Sequence, residues 1–153
     1  VLTAIAAPEV QNKLNGDFAI IAGPYLQNLA TGGCELDYTL TFVSEKFISM
    51  VFFGVLDEGE KEIFAKIPLN IDVQTGAQLA LGDVLNLRDA DLLPVLRLLT
   101  KKDMVDFSKG IPESWYYNGT NFVFCQRSET GEWLEATVAA SDLKKFLLKP
   151  ELF

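Results

Sequence analysis

Four carboxylates crowd one short stretch of this chain: Asp57, Glu58, Glu60 and Glu62. Two carboxylates held about 5 to 9 Å apart can cleave a glycosidic bond, one as acid and the other as base or nucleophile. Glu60 and Glu62 would share one face of a strand, which is how such a pair could be held. An acidic hairpin in water keeps ordinary pKa values, however, and that suits neither a general acid nor a covalent nucleophile. The same residues lack the alternating Asp/Asn ligands and closing Glu of a dedicated calcium loop. They read best as a solvated loop that offers negative charge to a binding partner.

A second group is aromatic. Trp115, Tyr116, Tyr117 and Trp133 lie close enough in the chain to line one platform, and aromatic faces stack on pyranose rings. Trp115, Tyr117 and Trp133 are therefore candidates for stacking on a cell-wall glycan. The competing reading makes alternate members core residues and lets the others cover a neighbouring strand. Other chemistry is sparse. There is no histidine, which excludes imidazole-based triads and His-containing zinc sites. No Gly-x-Ser-x-Gly elbow, phosphate-binding glycine loop or Cys-x-x-Cys pair is present. Cys34 and Cys125 either pair across the fold in an oxidising compartment or remain two small buried thiols. The residues thus assign no catalytic group, no cofactor and no metal, and predict a non-enzymatic domain.

The elements that must position these groups can be read from the hydropathy pattern. With 153 residues the chain suits one domain, 1–153, and its 49% apolar content with 11 Phe suits a packed core. A net charge of −8 repels phosphate backbones, which argues against nucleic acid, and attracts basic partners at long range. No run reaches the roughly 18 apolar residues of a membrane span. The chain begins at Val1 with no basic leader region, so any targeting segment is expected to have been removed.

From Pro8 to Leu29 apolar residues recur every three or four positions, predicting a helix that Gly23-Pro24 kinks or divides. Leu36 to Phe42 alternates as a half-buried strand. Phe47 to Val55 is a nearly continuous apolar run, predicting a strand covered on both faces. After the acidic hairpin, Ile63, Ala65, Ile67, Leu69 and Ile71 alternate with Phe64, Lys66, Asn70 and Asp72 in a long strand with one buried face. A helix follows, with Asp91 as N-cap, Pro94 in the first turn, and Leu92, Leu96 and Leu99 buried. Asn118-Gly119 predicts a hairpin turn, which also explains the Asn-Gly-Thr glycosylation pattern there. A last strand spans Trp133 to Val138, and Ser141 caps a final helix stopped by Pro150. The expected architecture is α+β: a twisted antiparallel sheet of about five or six strands with helices packed on one face.

The segment NIDVQTGAQLALGDVL carries a distinctive spacing through Asn70, Asp72, Thr75, Gly76, Leu79, Leu81 and Asp83. It resembles the signature of a bacterial extracytoplasmic domain, the sensing part of lysozyme-responsive anti-sigma factors and a companion of peptidoglycan deacetylases. Leu14-Asn15 in the first helix and Ile48-Ser49-Met50 in a strand match the same pattern in order. The resemblance implies an extracytoplasmic sensor or binding domain, anchored to a membrane through other segments, with a lysozyme-like basic protein as partner. Peptidoglycan fragments are the alternative ligand. Relatives carry a Gly-Gly-Ala-His type loop where this chain reads GVLDEGEKEIFAKIP, so the ligand is the part of the likeness that departs most. Asp72, Thr75, Gly76 and Asp83 themselves read as structural: Gly76 supplies a positive φ, and Asp72 or Thr75 bonds turn amides.

Overall fold

The computed structural model of the chain describes residues 8–28, 34–57, 62–101 and 103–153. Helix α1 spans Pro8–Asn28 and passes through Gly23-Pro24 as one helix rather than two. Pro24 lies near its end, and Ile20, whose carbonyl loses a donor to the proline, is 75% exposed, so water can take that bond. Strands β1 (Cys34–Val43), β2 (Phe47–Asp57), β3 (Glu62–Asp72) and β4 (Ala77–Gln78) form one antiparallel sheet in that order. Two short helices follow, α2 (Leu81–Val84) and α3 (Leu92–Leu99). Strands β5 (Ser114–Tyr117), β6 (Asn121–Arg127) and β7 (Trp133–Ala139) form a second antiparallel sheet.

The α+β class expected from the sequence is the one that forms, and its strands divide into two sheets rather than one. The break falls between β4 and β5, where α2, α3 and a 3₁₀ turn at Phe107–Lys109 intervene. Strand β2 is covered on both faces over its first half, as its apolar run predicts. Ile48, Met50 and Phe52 point with Leu69 and Ile71 toward Leu14 of α1. Phe47 points the other way, into a second cluster with α3 and the second sheet. The register of β1 shifts between Leu40 and Phe42. That shift turns Phe42 to the Phe47 side, with its ring 5.0 Å from that of Tyr117.

The ends of the helices depart from expectation. Asp91 stands at the N-cap of α3 but makes no capping bond, and its carboxylate instead meets Lys145 at 3.1 Å across the surface. Leu92 and Leu96 are buried, whereas Leu99, on the same stripe by helical spacing, is 42% exposed at the last position of the helix. Beyond β7 the chain winds as 3₁₀ turns, Ala140–Phe146 and Pro150–Leu152, in place of an α-helix capped by Ser141. Leu143 and Phe146 still reach the core, since 3₁₀ spacing sets positions i and i+3 on one side. Among the described residues no helix is long and apolar enough to cross a membrane.

Candidate functional site

The Thr-Gly segment is a hydrogen-bonded turn on the surface of α1. The Asp72 carboxylate accepts from Gln74 N–H at 2.9 Å and Thr75 N–H at 3.2 Å, and Asp72 C=O accepts from Gly76 N–H at 2.8 Å. Thr75 Oγ1 takes the next free donor, Ala77 N–H, at 3.2 Å. Asp83 accepts from Ala80 N–H at 2.8 Å and so closes the start of α2 from within. Gly76 has φ +65°, its carbonyl accepts from Lys13 Nζ, and a Cβ there would lie 3.1 Å from Val10 Cγ1. Gly76→Val is therefore expected to lower stability by about 2 kcal/mol, or roughly 6 °C in melting temperature. An unchanged melting temperature would contradict this account.

Two further residues of the signature do something the sequence did not disclose. Ser49 and Asn70 face each other across β2 and β3, fully or almost fully buried. Ser49 Oγ donates to Asn70 Oδ1 at 2.7 Å and accepts from Tyr117 N–H at 2.9 Å. Asn70 Nδ2 donates to Trp115 C=O at 2.7 Å. Strand β5 is an edge of its own sheet, and two of its backbone groups are satisfied here by side chains instead of a strand. The pair is thus the polar joint between the sheets, set in an otherwise aromatic interface.

That joint decides the fate of the aromatic candidates. Trp115 and Tyr117 are buried, with Trp115 stacked at 12° to Phe47 and 28° to Phe122. Their faces are filled by protein, so the proposed stacking of sugar on Trp115 and Tyr117 does not fit the structure. Strand alternation sends both inward. Trp133 has a different setting. It is half-buried on the opposite face of the second sheet, and its indole N–H donates to Phe64 C=O at 3.3 Å.

Trp133 forms one wall of an open cleft of about 330 Å³, shared with Asp37 of β1, Phe53 and Val55 of β2, and Phe64 and Lys66 of β3. The base of the acidic segment lies directly beyond. Asp57 pairs with Glu62 two ladder steps past the Val55–Phe64 pair, about 7 Å along the strands; Glu58 and Glu60 lie outside the described residues. The structure therefore brings Trp133 and the base of the acidic hairpin to one end of the molecule.

Beneath the cleft the sheets meet a second time. Lys66 forms an ion pair with Glu135 of β7, and its ammonium lies 5.5 Å from the Phe53 ring centre and 5.3 Å from that of Tyr116. Tyr116 O–H donates to Glu135 at 3.0 Å, and the Cys125 thiol reaches the same carboxylate at 3.8 Å. Burial pushes the Cys125 thiol up to about 12, with Lys66 opposing and Glu135 adding to the rise. Burial, then the charge of Glu135, likewise raises the Tyr116 phenol. Both groups are neutral at physiological pH, and Cys125 is a free buried thiol. One signal in the sequence pointed here: Trp133 and Glu135 are spaced i, i+2 on β7, as Phe64 and Lys66 are on β3.

No protein-family profile matches the chain, and no curated protein does. Among solved structures the chain is similar to a DUF3298 family protein from Pseudomonas aeruginosa PAO1. The TM-score is 0.58 at 14% identity, covering 86% of this chain and 71% of that one. It is also similar to a DUF3298 family member from Bacteroides fragilis NCTC 9343, with a TM-score of 0.57 at 14% identity, covering 88% of this chain and 64% of that one. At such identity the likeness is one of fold, and the fold is that of an uncharacterised domain family.

Proposed function

We propose that this chain is a non-enzymatic binding domain of the bacterial cell envelope, anchored through segments outside it, whose partner is a basic protein of the lysozyme type. The observation that carries the reading is the position of the open aromatic cleft two residues along β2 and β3 from Asp57 and Glu62, the paired base of the acidic segment. Apolar surface next to concentrated like charge suits a protein partner of opposite sign. A net charge of −8 steers such a partner in before contact. The neutral state of the buried Cys125 thiol and of the half-buried Tyr116 phenol supports binding over catalysis, since neither supplies a nucleophile or base. The resemblance of the Thr-Gly segment supports the compartment.

Titration of the domain with lysozyme tests the proposal. Binding is expected at low salt and should weaken steeply toward about 0.15 M, where charges beyond about 8 Å are screened. Replacing Asp57, Glu58 and Glu60 together by Asn, Gln and Gln should weaken it by about tenfold or more. Absence of heat or shift at low salt would remove lysozyme as the partner. Binding indifferent to both salt and the triple replacement would remove the hairpin.

A further inference from the structure

We propose that the cleft between β2–β3 and β7 is a socket for one arginine side chain presented by a protein partner. The inference deepens the reading above and rests on it for the source of the arginine. The first reason is size. At about 330 Å³ the cleft stands at the lower end of small-ligand sites, which span about 300 to 1,000 Å³, and it fits a single side chain better than a run of sugar rings.

Shape is the second reason. Phe53 is 43% exposed and Phe64 55% exposed, and the indole of Trp133 is tethered by its N–H to the Phe64 carbonyl. These are flat aromatic surfaces, one of them held in place before any ligand arrives, and a planar guanidinium stacks on such faces better than a round ammonium does. Lys66 shows that the lining already tolerates a cation, because its ammonium lies against the Phe53 and Tyr116 rings at the cleft floor.

Charge is the third reason. Lys66 is matched by Glu135, so that pair adds no net charge. Asp37 in the opposite wall makes no ion pair among the described residues, and its carboxylate accepts only from the adjacent Tyr38 N–H, at 2.7 Å. The cleft therefore presents one carboxylate that no described cation compensates, and the Asp57–Glu62 strand pair lies beyond it. A guanidinium can donate two parallel hydrogen bonds to a carboxylate while its plane lies on a ring. Arginine satisfies size, shape and charge together.

The test follows the indole N–H signals of ¹⁵N-labelled domain, with the Trp133 signal assigned through Trp133→Phe. The probes are N-acetyl-arginine amide, N-acetyl-lysine amide and the tetramer of N-acetylglucosamine, at matched ionic strength. The arginine probe is expected to shift the Trp133 signal saturably in the low millimolar range, with the lysine probe several-fold weaker. Asp37→Asn, checked by its melting temperature, should weaken the arginine probe at least fivefold. No saturable shift with arginine, an affinity unchanged in Asp37→Asn, or a saturable shift with the sugar alone would overturn the socket. Lysozyme binding separates the two proposals. If lysozyme binds wild type and Asp37→Asn equally while the arginine probe fails, the socket is wrong and the partner stands. If the probe binds and lysozyme does not, the socket stands and the partner is wrong.

Discussion

Phe47→Ala is expected to destabilise the domain by about 3–5 kcal/mol, the range for deleting a fully buried aromatic ring. Phe47 has no exposed surface, and four rings surround it: Phe42 at 6.0 Å, Trp115 and Tyr117 each at 6.3 Å, and Phe153 at 5.4 Å. Those partners come from β1, from β5 and from the end of the chain. Removing the ring leaves a cavity whose walls cannot all close at once, because each is fixed by a different element. Phe47→Leu keeps most of the volume and should cost less than about half as much. Urea unfolding of both variants checks the claim, and a loss below about 1.5 kcal/mol for the alanine variant would show that the walls collapse.

Asn70→Ala is expected to cost about 3 kcal/mol, through hydrogen bonding more than through volume. It leaves the Ser49 hydroxyl without its acceptor and the Trp115 carbonyl without its donor, both buried, and each such orphan costs about 1–3 kcal/mol. Ser49→Ala orphans Tyr117 N–H in the same way. Because the two side chains bond each other, the losses should not add, and the double variant should be milder than the sum by at least about 0.5 kcal/mol. Additivity within about 0.3 kcal/mol would mean that the two bonds act independently.

Local pattern in the sequence carried much of this fold. The run Phe47 to Val55 announced a strand with two covered faces, and the alternation from Ile63 to Ile71 announced its neighbour. Asn118-Gly119 announced a tight turn, and Gly119 has φ +92° there. These features depend on residues within a few positions of one another. What stayed hidden depends on separation. The bonds that join the sheets link residues 45 and 68 positions apart, and Lys66 meets Glu135 across 69. Period-two alternation tells which side of a strand a residue takes, but not what that side will meet. Asn70 and Lys66 looked alike on the polar side of β3, yet one is sealed inside a joint and the other floors a cleft. Trp115 and Trp133 looked alike too, and their strand faces sent them in opposite directions.

The joint at Ser49 and Asn70 has a geometric consequence at the far end of the molecule. Strand β5 can settle on β2–β3 only where a hydroxyl meets its N–H and an amide meets its carbonyl. The neighbouring pairs on that same face are Phe47–Asp72 and Val51–Pro68. Neither offers both groups, since Phe, Val and Pro side chains form no hydrogen bonds and a carboxylate cannot donate. A single notch is therefore open to the second sheet, and sliding to the next pair on that face is forbidden. The span between Phe64 and Trp133 is then fixed by a latch six residues further along β3. Loosening that latch would change how wide the mouth stands, although Asn70 touches nothing in it.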